Sequence, residues 1–136
     1  MTIKDFISNN EVDFSKNKIT LSDLNKYETT LKISFGNQLK EYILKYGYLG
    51  YSSIEMYGID SNLELESDMI KQTLYLHKYY PNTVKYIALE NKGEGDYAVI
   101  DSDDYVWELI TENGAKLTNS GLKLFDYILS RFKMAI

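Results

Sequence analysis

Twenty carboxylates, one histidine and no cysteine set the chemistry open to this 136-residue chain. The missing cysteine removes thiolate nucleophiles, disulfides and sulfur-ligated zinc together, and suits a reducing compartment. Any histidine-based nucleophile pair or metal site must run through His77 alone, and an isolated histidine is ordinarily a surface or core residue. Paired acids of the kind that hydrolyse glycosides require a defined separation, but twenty acids offer many pairs and the sequence selects none.

Two motifs invite a chemical reading. Gly93-Glu94-Gly95-Asp96-Tyr97-Ala98 fits the loose glycine pattern of dinucleotide sites. Such a fingerprint must open a helix whose amides face pyrophosphate, whereas a strand is expected here and two carboxylates would repel the anion. The stretch reads as a hairpin connection. Asp101, Asp103 and Glu112 match positions 1, 3 and 12 of a calcium loop, yet Tyr105 and Val106 occupy the places of a ligand and of the turn glycine. That stretch reads as a solvated turn, in which Asp and Ser bond to their own backbone. Neither a metal nor a cofactor is expected.

Charge is distributed unevenly. The chain carries −5, but residues 90–112 hold Glu90, Glu94, Asp96, Asp101, Asp103, Asp104, Glu108 and Glu112 against Lys92 alone, a balance of −7. One acidic segment in a near-neutral body argues against direct binding of nucleic acid, where Lys and Arg neutralise phosphates. It argues for a basic partner or a solvated edge.

The elements that must carry these residues follow from periodicity. Leu24, Tyr27 and Leu31 behind Ser22 as N-cap predict a helix over 22–32, and Leu39, Tyr42, Ile43 and Tyr46 a second over 37–46, closed by Gly47. The aromatic stretch Tyr48 to Tyr57 predicts a strand, and Leu65, Met69, Thr73, Leu76 and Tyr80 a helix from Leu63 to Tyr80, closed by Pro81. Beyond Pro81 the period drops to about 2. Val84 to Glu90, Tyr97 to Asp101 and Tyr105 to Thr111 predict an antiparallel meander. Leu122, Phe125, Ile128, Leu129 and Phe132 then form the stripe of a closing helix entered from Asn119-Ser120-Gly121.

The expected architecture is α+β: a single domain over residues 1–136, with a three- or four-stranded antiparallel sheet from Tyr48 to Thr111 flanked by helices. Its core should include Leu31, Tyr42, Ile43, Ile87, Leu89, Phe125 and Ile128. Thirteen tyrosines exceed what such a core needs, which marks the surplus as interface candidates. No apolar run nears the roughly 18 to 20 residues of a membrane span. With Asp5 already in Met1-Thr2-Ile3-Lys4-Asp5-Phe6 there is no signal-peptide pattern, so the cytoplasm is the expected location.

Four segments stand out in order and spacing along residues 22–132: Glu28 in the early helix; Phe35-Gly36-Asn37-Gln38-Leu39-Lys40-Glu41-Tyr42-Ile43-Leu44-Lys45-Tyr46-Gly47; Ile87-Ala88-Leu89-Glu90-Asn91 followed by Gly95-Asp96-Tyr97-Ala98-Val99-Ile100-Asp101; and Leu124-Phe125-Asp126-Tyr127-Ile128-Leu129. Together they resemble the SUKH superfamily, which includes bacterial immunity proteins and fungal regulators of cell-wall synthesis. Glu28 matches the recurrent glutamate of the family's early helix, and the second segment is similar to its next motif, with Gly36 where proline is usual and Leu39 where an aromatic is usual. The third resembles the family's strand, Gly-Asp turn and strand ending in aspartate, Val106 sits where the next strand's valine is expected, and the fourth resembles the closing helix.

The resemblance implies a helix-flanked antiparallel sheet and a non-enzymatic role. In bacteria that role is immunity: binding and blocking a cognate secreted polymorphic toxin, often a nuclease. A regulatory or scaffold module like the fungal relatives is the alternative. A nuclease holds phosphates in a basic cleft, which an acidic inhibitor can occupy. The charge argument therefore assigns partner binding to Glu94, Asp96, Asp101, Asp103 and Asp104, with Tyr105 and Trp107 beside them. Trp107 could equally belong to the core and Asp96 to its turn.

Overall fold

The computed structural model describes residues 1–15, 19–60 and 68–135. Helix α1 (Ile3–Asn9) opens with a capping box between Thr2 and Asp5. Strand β1 (Asp13–Phe14) leads to α2 (Leu21–Leu31) and α3 (Asn37–Tyr46). A hairpin follows, β2 (Leu49–Tyr51) and β3 (Ile54–Met56), then α4 (Met69–Tyr79) and a 3-10 turn at Pro81–Thr83. Strands β4 (Ile87–Gly93), β5 (Asp96–Ile100) and β6 (Tyr105–Ile110) run on through an irregular turn, α5 (Glu112–Ala115), into β7 (Lys116–Lys123). Helix α6 (Leu124–Met134) closes the chain.

Among the described residues two antiparallel sheets form, one in the order β1-β2-β3 and one in the order β4-β5-β6-β7. The α+β expectation therefore holds, while the stretch from Tyr48 to Tyr57 is a hairpin that pairs with β1, in a sheet separate from the meander. The sheets meet where the Tyr57 N–H donates to the Leu89 carbonyl at 2.6 Å, and the Thr73 hydroxyl of α4 accepts the Ala88 N–H at 2.8 Å. These contacts satisfy backbone groups that an outer strand would otherwise leave open. His77 fastens the same join, its Nε2–H donating to the Tyr86 carbonyl at 2.8 Å.

Three local expectations need correction. Helix α2 is capped by Thr20 in a capping box with Asp23, not by Ser22, because Thr20 supplies the extended backbone and the hydroxyl that accepts the Asp23 N–H. The helix expected from Leu63 begins at Met69 among the described residues, with Asp68 capping the Ile70 and Lys71 amides, and positions 63–67 lie outside the described residues. Residues 116–123 form a fourth strand rather than the approach to a helix. Asn119-Ser120-Gly121 shapes an irregular stretch of that strand: Asn119 accepts the Gly121 N–H, Ser120 donates to the Val106 carbonyl, and Gly121 takes φ 79°.

The core contains Leu31, Tyr42, Ile43, Ile87, Leu89 and Ile128, as expected. Phe125 is only half-buried, packed against its edge. Because α6 starts at Leu124, the inward stripe is Leu124, Tyr127, Ile128, Leu129 and Phe132, and Leu122 stays exposed on β7.

Candidate functional site

The acidic segment is largely absorbed by the fold. At the β5–β6 connection the Asp101 carboxylate accepts the Asp103 and Tyr105 N–H groups on one oxygen and the Trp107 indole N–H, at 2.9 Å, on the other. This is the Asx geometry that tightens a turn. Trp107 also packs edge-to-face on Tyr86 at 5.5 Å, and Lys123 lies over the Tyr105 ring. Both aromatics named as partner contacts are thus half-buried and engaged within the chain.

Asp104 is a correction to the surface expectation. It is 6% exposed, and its carboxylate accepts the Gln38 and Leu39 N–H groups, each at 2.9 Å. Those are orphan amides in the first turn of α3, whose own N-cap, Gly36, has no side chain to offer. A Cβ on Gly36 would sit 2.3 Å from the Asp104 Oδ1. The glycine thus leaves space for a cap supplied from a distant turn, and the helix dipole favours that negative charge.

Asp96 stands at the opposite end of β5 from Asp101. Lys92 lies 3.4 Å from its Oδ1 and 3.1 Å from the Glu108 Oε2, bridging the two acids. Glu94 is exposed at the tip of the β4–β5 hairpin, between Gly93 and Gly95, all three with positive φ. This is the hairpin read from the glycine pattern, and a strand follows it. Of the five acids assigned to a partner, Glu94 and Asp103 are exposed, and a full strand separates their turns.

The sequence reading did not single out the buried cluster on the other side of the meander. Glu90 is 2% exposed. Its carboxylate accepts from Arg131 Nε at 3.0 and 3.1 Å, from Nη2 at 2.6 Å and from the Tyr127 hydroxyl at 2.8 Å. The carboxylate raises the Arg131 pKa through these bonds, while burial, followed by Glu90, pushes the Tyr127 hydroxyl up. A clamped carboxylate beside a phenol that resists ionisation forms a lock between β4 and α6. Glu90 and Arg131 line a groove of ≈ 520 Å³ together with Ser53, Ile54, Tyr57 and Lys92. Arg131 is the chain's single arginine, which is the signal that could have drawn attention to it. Among the described residues no group of three or more His, Asp or Glu side chains is placed to hold a metal ion.

Residues carrying the family resemblance recur in these contacts. Glu28 accepts the Phe35 N–H at 2.8 Å and so ties α2 to the entry of α3. Glu90, Gly95, Asp96 and Asp101 hold the meander as described. An α+β chain with two antiparallel sheets and these internal caps is the class the fold defines. The chain belongs to the SUKH_5 family, described as SMI1-KNR4 cell-wall, whose model matches residues 2–131. A search of curated proteins finds no match. No helix among the described residues is long and apolar enough to cross a membrane.

Proposed function

We propose that this chain is an immunity protein, which binds a cognate secreted toxin inside the producing cell and neutralises it by contact rather than by catalysis. The observation that carries the reading is the match of residues 2–131 to a family that includes such proteins. For a nuclease-type toxin, the net charge of −5 and the exposed Glu94 and Asp103 supply long-range attraction to a basic cleft. The buried or half-buried acids of the same segment supply architecture instead.

A second reading is a non-catalytic regulatory or scaffold module, favoured by the family's description as SMI1-KNR4 cell-wall. Survival separates the two. Where a secreted toxin is encoded next to this gene, cells expressing its toxin domain should grow when this chain is co-expressed and fail to grow without it. No protection by folded, abundant chain would contradict immunity and favour the regulatory reading.

A further inference from the structure

Residues 69–89 contain no Asp or Glu, while Lys71, Lys78 and Lys85 are all exposed. Within this stretch Leu74, Tyr75 and Tyr79 are 44%, 45% and 56% exposed. At 100° per residue Tyr75 and Tyr79 lie about 40° apart and Leu74 about 100° from Tyr75, all on the side away from buried Met69, Ile70, Thr73 and Leu76, with Lys71 and Lys78 on the arc between Leu74 and Tyr75. Scattered exposed apolar residues are ordinary, but here three large ones flank two lysines on the solvent side of one helix.

The face is also organised before any partner arrives. The Tyr75 and Tyr79 rings lie 4.9 Å apart at 50°, and the Lys78 ammonium sits 5.3 Å from the Tyr79 ring centre. Side chains ordered in this way lose less freedom on binding. The patch reaches the sheet at Tyr97, whose hydroxyl is pushed up by burial and then by its neighbours Tyr75 and Tyr80.

We propose that the Leu74, Tyr75 and Tyr79 face of α4, with Lys71 and Lys78 between Leu74 and the tyrosines, is where the toxin domain docks, on an apolar patch that carries carboxylates. The inference rests on the immunity reading and names the surface it uses. Exposed tyrosines beside cationic groups are the residue types that anchor interfaces. A second copy meeting this face through a two-fold axis would set lysines against lysines. Phosphate binding needs more positive charge than two lysines on a chain of net charge −5 provide. An apolar patch bearing carboxylates satisfies both the rings and the ammonium groups. It also lies outside a nuclease's phosphate cleft, which must be basic.

Binding kinetics with a catalytically inactive form of the toxin domain that this chain protects against in the survival test check the assignment. The Tyr75→Ala, Tyr79→Ala double variant should dissociate on the order of 100-fold faster with an unchanged melting temperature. Lys71→Glu with Lys78→Glu should weaken binding about tenfold or more at low salt. Wild-type affinity in the folded tyrosine variant would remove α4 from the interface while leaving immunity standing. Tighter binding by the lysine reversal would overturn the assignment of carboxylates to the partner's patch. If the wild-type chain itself fails to bind the toxin, the immunity reading falls, and this surface with it.

Discussion

Residues 69–89 and 90–112 adjoin in sequence and are opposite in charge, three lysines with no acid against eight acids with one lysine. Their side chains are used in opposite ways. In the acidic stretch Glu90 is locked to Arg131, Lys92 joins Asp96 to Glu108, Asp101 closes a turn and Asp104 caps α3. In the acid-free stretch Leu74, Tyr75 and Tyr79 face solvent with little inward purpose. Charge counted along a sequence therefore overstates charge available to a partner. A carboxylate is also the residue best suited to collecting orphan amides and clamping an arginine.

The largest effect that would sharpen this contrast is on stability. Arg131→Ala leaves Glu90 buried with no cation beside it and only the Tyr127 hydroxyl as a donor, and should cost about 3–5 kcal/mol in denaturant unfolding. A loss under about 1 kcal/mol would mean that Glu90 is not locked. Asp104→Ala should cost about 1–3 kcal/mol, since two amides of α3 lose their acceptor. A melting temperature equal to that of wild type would return Asp104 to the solvated surface.

Smaller effects belong to the acids that remain exposed. Glu94→Lys with Asp103→Lys should leave the melting temperature unchanged and slow association with a basic toxin at low salt, the deficit shrinking as the Debye length falls. A deficit that persists at about 1 M salt would make these acids direct contacts. The smallest effect is on pH dependence at the capping boxes. Backbone and side-chain hydrogen bonds from Thr2 and Thr20 hold Asp5 and Asp23 below the ordinary carboxylate range. Depressed folded values mean that their contribution is present at neutral pH and lost as pH falls below about 4. Asp23→Asn should flatten that part of the acid-unfolding curve, and an unchanged curve would deny the cap.

The elements legible in sequence were those whose signals are local. Helix α3 runs over the expected 37–46 because an apolar stripe and the Gly47 C-cap lie within a few turns of each other. Strand β7 was missed because Leu117 and Leu122 are the only apolar residues in its eight, as befits a largely exposed edge. The roles of the acids were illegible for a different reason. Asp104 meets the α3 amides across 65 and 66 residues, and Glu90 meets Arg131 across 41. No periodicity or spacing rule reaches so far. The α4 face could have been read in part, since the run Leu74-Tyr75 and Tyr79-Tyr80 exceeds what one buried helical stripe holds.

The central claim is that the partner meets the acid-free stretch and that the acidic stretch chiefly serves the fold. Hydroxyl-radical labelling of this chain, free and bound to the inactive toxin domain, tests it most directly. Tyr75 and Tyr79 should label readily in the free chain and become protected in the complex, with Trp107 little changed in either state. Undiminished labelling of both tyrosines in a complex that has formed would contradict the account.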